Sequence, residues 1–132
     1  MWEKWTFIAA LAGITTLMRS CVGDIVSAGG KDLALALMDE CAGIAAHNGY
    51  APSTVSMERG RAMVGAAGSP ITASMFKDIE RGAPTEADHI LGDLLRRSAP
   101  ASPAVQSMLK IAYAHLKTYE ARRSREEAAR AA

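Results

Sequence analysis

Between Trp5 and Met18 fourteen consecutive residues carry no charge, and Lys4 and Arg19 flank them. A helix drawn through this run is apolar on nearly every face, which predicts a fully buried core helix beginning at residue 2. A membrane span needs about 20 apolar residues, whereas this run is shorter and carries Thr6, Thr15 and Thr16. A signal peptide opens on a basic, polar stretch, but Met1-Trp2-Glu3-Lys4 places a bulky aromatic and an acid there. A core helix starting so early also suggests that something precedes it, and the chain reads as a fragment.

Cys21-Val22-Gly23-Asp24 and Gly29-Gly30 read as breaks. Leu33, Leu37, Cys41 and Ile44 then recur at helical spacing, up to His47-Asn48-Gly49, where Asn or Gly suits a left-handed cap. Pro52-Ser53 opens a helix to about Gly65. Ser69-Pro70 offers an N-cap and a first-turn proline for a segment running to Glu80 and closed by Gly82. Pro84-Thr85-Glu86 starts the next helix, with an acid in its first turn. Ala87, Ile90, Leu91, Leu94 and Leu95 form its apolar stripe, opposite Glu86, His89, Asp93 and Arg96; the stripe should pack on the last helix or the first. Ser102-Pro103 opens that last helix, with Val105, Met108, Leu109, Ala112, Leu116 and Tyr119 inward. Its mixed-charge end, Lys117 to Ala132, predicts a solvated terminus that frays. Six or seven helices, short loops and no linker predict a compact all-α domain over residues 1–132.

Composition strengthens that reading, since 26 Ala against 5 Val favours helix over strand. At 49% hydrophobic, the chain can fill a core. Fifteen Lys and Arg against fourteen Asp and Glu give +1, too balanced for a nucleic-acid binder, and a helix-turn-helix reader would need a basic face. Cys21 and Cys41 form no C-x-x-C and lack a nearby histidine pair, so neither disulfide nor metal site is expected and a cytoplasmic location fits.

Phosphate cradles are missing from the pattern. Gly60 and Gly65 have P-loop spacing, but Ala66-Ala67 stand where Lys and Ser or Thr belong, and no G-x-G-x-x-G occurs. His47, His89 and His115 have no nucleophile partner by spacing, and His115 reads as a satisfied helix-face residue. Lys4 has two readings. Between Trp2 and Trp5 its ammonium would be partly desolvated, which lowers a lysine pKa and makes a usable proton donor; alternatively it snorkels to water from the helix end. Glu86 alone reads as a helix N-terminal acid, and Ser74 alone is uninformative.

The order of motifs adds more. Trp2-Glu3-Lys4 leads the buried helix, Ser74-Met75-Phe76-Lys77-Asp78 follows, and then comes Thr85-Glu86-Ala87-Asp88-His89-Ile90-Leu91-Gly92. Individually modest, W-x-K, S-M-x-x-D and T-E-x-D-x-I-x-G are specific in this order and spacing. The chain resembles, over all but its charged tail, the C-terminal helical domain of ketopantoate reductase (2-dehydropantoate 2-reductase). The resemblance implies a two-domain NADPH-dependent dehydrogenase of pantothenate and coenzyme A biosynthesis, in which an N-terminal Rossmann domain, absent here, holds the cofactor. It implies Lys4 as general acid at the ketone oxygen, Ser74 on the carboxylate of a small 2-oxo acid, and Glu86 on its hydroxyl. Ile8 and Ala12 depart from the pattern, for members carry asparagines one and two turns after the lysine; a more apolar pocket follows, and with it a choice among branched or hydroxylated 2-oxo acids. Without the Rossmann domain the chain alone is expected to be inactive. The alternative is a helical dimerisation module without activity, in which Trp2 and Trp5 bury against a second copy.

Overall fold

The computed structural model describes residues 1–99 and 107–131, and all regular structure among them is helical. The uncharged run forms α1, Trp2–Met18, whose residues from Ala9 to Thr16 are all buried. It stops at Arg19, which adopts the left-handed conformation at φ 60°, while the Ser20 amide donates to the Thr15 carbonyl at 3.2 Å. Helix α2, Val22–Ser27, follows at once, so the break falls at 19–21 and Cys21 is the N-cap rather than part of a loop through Asp24. Gly29, at φ +89°, makes the second turn.

Helix α3, Lys31–His47, packs along α1 and buries Leu37, Cys41 and Ile44. Leu33, expected to face inward, is 44% exposed in the first turn of α3. Gly49, at φ +87°, takes the left-handed position. Helix α4, Thr54–Val64, is capped by Ser53, whose hydroxyl accepts the Ser56 amide at 3.1 Å.

The Ser69-Pro70 pair does not start a helix. Residues 69–73 run along the start of α2, where the Ser69 and Ile71 carbonyls accept the Gly23 and Val22 amides at 2.7 and 3.0 Å. Those contacts satisfy two of α2's orphan donors and hold the segment out of helical register. Helix α5, Ser74–Glu80, therefore begins at the serine itself. The next helix is also delayed. Thr85 and Glu86 are in a loop, and Asp88–Gly92 form a π-helical turn, closed by the Asp93 amide on the Asp88 carbonyl, that continues into α6, Asp93–Arg96.

Ala87, Leu91 and Leu94 are fully buried, with Ile90 and Leu95 packed at the margin. The π-turn lies against both α1 and α7. Helix α7, Met108–Ala131, buries Leu109, Ala112 and Leu116. The Glu40 carboxylate of α3 caps its start by accepting the Met108 and Leu109 amides at 2.9 and 3.2 Å. Ser102-Pro103 and Val105 lie outside the described residues. The charged end of α7 is continuous helix through Ala131, and its first two turns dock on the loop before the π-turn instead of standing free in solvent.

Candidate active site

Ser74 and Glu86 line one cleft of about 530 Å³, together with Asp78, Arg81, Thr85 and Ile90. Ser74 is exposed as the first residue of α5. Its position is set by the preceding Ala73, whose amide donates to the buried Thr15 hydroxyl of α1 at 3.4 Å. Glu86 is exposed on the loop, and its carbonyl accepts the Ile90 amide at 3.0 Å, which ties it to the π-turn. Within the lining, Arg81 and Asp78 form an ion pair at 2.6 Å.

Lys4 stands in the first turn of α1, exposed and outside the lining of that cleft. Trp2 stacks on Tyr50 with centroids 5.4 Å apart, and the Arg97 guanidinium lies 5.6–5.8 Å from both indole rings. Both indole rings are thus engaged within the chain, and Lys4 is exposed beside them. Trp5 makes the link toward the cleft, since its indole N–H donates to the Ile90 carbonyl at 2.9 Å. Lys4 and Ile8 share one helical face that continues to Leu11 and Thr15, one to three turns along. That face leads from Lys4 down to the start of α5.

A brace from α7 holds the loop that carries Glu86. Tyr119 donates to the Ala83 carbonyl and Arg123 to that of Gly82, both at 2.7 Å, and Thr85 donates to Glu120 at 2.9 Å. Lys117 reaches Glu120 at 2.8 Å and Asp88 at 3.1 Å, and the Tyr113 hydroxyl donates to Asp88. The Tyr113 hydroxyl and the Lys117 ammonium hold the Asp88 carboxyl below the usual carboxylate range. Burial is slight there, so hydrogen bonding to the charged form dominates. The same contact with Asp88 pushes the Tyr113 phenol up. Gly92 lets the ring come close, because a Cβ there would stand 3.0 Å from Tyr113 Cε1.

Sequence patterns alone missed this brace, although Tyr113, Lys117 and Glu120 recur at i, i+4 and i+7 beside the inward stripe. His115 is also other than expected: its Nε2 is buried without a partner. Both cysteines are free, and burial pushes the Cys41 thiol far up. Among the described residues no group of three or more His, Cys, Asp or Glu could hold a metal, and no helix is long and apolar enough to cross a membrane.

Residues 1–120 match the family described as Ketopantoate reductase PanE/ApbA C terminal. The chain belongs to this family. It is 33% identical over 122 residues to the uncharacterized oxidoreductase YkpB of Bacillus subtilis (strain 168), covering 92% of the chain and 40% of that protein. The 2-dehydropantoate 2-reductase of Methylococcus capsulatus superposes with a TM-score of 0.72 at 30% identity, over 93% of this chain and 42% of its own. The dimeric ketopantoate reductase of Staphylococcus aureus shares the fold at a TM-score of 0.75 and 21% identity, over 92% of this chain and 43% of its own. The chain thus spans about two fifths of the length of these relatives. Its all-helical architecture is that of the ketopantoate reductase C-terminal domain, and its relatives are oxidoreductases.

Proposed function

We propose that this chain is the substrate-binding and proton-donating half of an NADPH-dependent reductase of small 2-oxo acids, of the 2-dehydropantoate-to-pantoate type. The observation that carries the reading is the shared cleft of Ser74 and Glu86 in a chain of this family, with Lys4 on the helix whose Trp5 holds the cleft residue Ile90. The described residues contain no strand, hence no strand-turn-helix cradle for a pyrophosphate. They do not fit the nicotinamide nucleotide, whose place is in a Rossmann half outside them. The work of this chain lies at the substrate oxygens. The Lys4 ammonium meets the charge that develops on the ketone oxygen and supplies its proton. The Ser74 hydroxyl donates to the carboxylate, and the Glu86 carboxylate accepts from the substrate hydroxyl and helps orient Lys4. Ile8 and Ala12 make the Lys4 face less polar than paired amides would, which favours 2-oxo acids with branched apolar tails. A cytoplasmic homodimer fits this assignment, as one relative is dimeric.

The test is oxidation of NADPH with ketopantoate, comparing the 132-residue chain with the full genomic reading frame that contains it. Turnover by the longer protein alone supports the reading. Absence of turnover in the longer protein, with ketopantoate and with its hydroxyl-free analogue alike, overturns it.

A further inference from the structure

The π-turn places Glu86 through its backbone, and the π-turn is itself gripped from two sides. From α1, the Trp5 indole holds the Ile90 carbonyl at 2.9 Å. From α7, Tyr113 and Lys117 converge on the Asp88 carboxylate, two residues after Glu86. A π-turn carries one residue more per turn than an α-helix, and such turns survive where surrounding contacts impose them, often at functional sites. Here the imposing contacts are polar and directional, and the ring of Tyr113 packs on Gly92 at the turn's far end.

The energetics separate position from stability. The Lys117–Asp88 pair is half exposed on both sides, and such pairs contribute little to folding. What they fix is direction. The carboxylate accepts a hydroxyl and an ammonium at once, leaving the backbone at 86–88 little freedom to rotate. We propose that Asp88, clamped by Tyr113 and Lys117, is a positioning residue that fixes Glu86 at the mouth of the cleft. The inference rests on the functional assignment above for the role of Glu86. The clamp itself is a property of this chain alone.

Two experiments test it. In the 132-residue chain, amide hydrogen exchange is compared for the parent, Tyr113→Phe and Lys117→Met. Tyr113→Phe keeps the ring on Gly92 and removes only the hydroxyl. Faster exchange confined to residues 86–90, with the Leu109 and Leu116 amides unchanged, is expected; unchanged exchange at 86–90 overturns the clamp. In the longer reductase, Asp88→Asn and Glu86→Gln are combined in a double-mutant cycle. Asp88→Asn should lower kcat about 10- to 100-fold, the scale of a small misplacement of a reacting group, and leave the KM for NADPH unchanged. In the Glu86→Gln background it should cost almost nothing further, since it acts through Glu86. Losses that multiply would show a merely structural role and overturn the proposal. A longer protein that reduces no 2-oxo acid defeats the functional assignment instead, and the exchange experiment then decides the clamp by itself.

Discussion

Gly23 is the position at which a single methyl group should disturb the approach to Ser74. A Cβ at Gly23 would stand 2.8 Å from both the amide nitrogen and the carbonyl oxygen of Ser69, and 2.9 Å from the Gly68 carbonyl carbon. All three are backbone atoms, so none can move aside as a side-chain tip can. Overpacking of this kind costs about 1–3 kcal/mol. The 2.7 Å bond from the Gly23 amide to the Ser69 carbonyl would lengthen, at about 1 kcal/mol more. Better helix propensity returns about 1 kcal/mol, so Gly23→Ala should destabilise by about 1–3 kcal/mol. Gly60→Ala is the control. There the nearest atom is Met38 Cε at 2.6 Å, the free end of a flexible side chain. Methionine repacks readily, so the propensity gain should dominate and leave that variant within about 1 kcal/mol of the parent. Urea midpoints measured at equal slope give both values. A Gly23→Ala chain as stable as Gly60→Ala would refute the argument that backbone, rather than bulk, sets the cost.

Glu40→Ala removes the carboxylate that caps α7, and should cost about 1–2 kcal/mol in the same urea measurement. Burial holds the His115 imidazole below the ordinary histidine value, and the nearby Arg19 charge adds to this. The unfolded chain then binds a proton that the folded chain refuses. Stability is therefore full above the ordinary histidine pKa and falls as pH drops through it toward the folded value; midpoints should decline from about pH 7.5 to about pH 5, and His115→Gln should flatten that decline. Lys4→Ala, at an exposed position, should leave the melting temperature of the longer reductase unchanged while lowering turnover about 10²- to 10⁴-fold; a loss below tenfold would deny Lys4 the role of acid.

What could be read from the sequence follows from how local its physical cause is. Helix α1 is legible because fourteen uncharged residues leave it no face for water. Ser53 and Gly49 are legible because caps act within one turn. The start of α5 is not. Ser69-Pro70 has the chemistry of a helix start, but the carbonyls of Ser69 and Ile71 serve amides of α2 more than forty residues earlier in the chain. The π-turn is hidden for the same reason, since its imposing contacts come from Trp5, Tyr113 and Lys117. Ser74 and Glu86 stand out as candidates only through the order of motifs and the resemblance they carry. Nothing in their own spacing revealed the cleft they share. Ion pairs in the charged tail suggested solvation, yet two of its residues, Tyr119 and Arg123, spend their donors on loop carbonyls.

The unbroken burial of α1 from Ala9 to Thr16 has a functional consequence. An amphipathic surface helix contacts its domain along one stripe, but α1 touches α2, α3, α4, α5, the π-turn and α7. Lys4 therefore sits on an element that reaches α5 and the π-turn, the two segments next to Ser74 and Glu86. Thr15 receives the amide that precedes Ser74, and Trp5 holds the turn that follows Glu86. At its far end the Arg19–Glu80 pair at 2.8 Å ties α1 to the end of α5. Threonine inside so apolar a helix is costly unless its hydroxyl is satisfied, and Thr15 donates to the Leu11 carbonyl at 2.7 Å while accepting from Ala73. That double use explains why a polar residue persists at the centre of the core. It fixes the register between the helix bearing the proposed acid and the segment bearing the proposed carboxylate ligand, and Thr15→Val should loosen Ser74 while preserving the packing of α1.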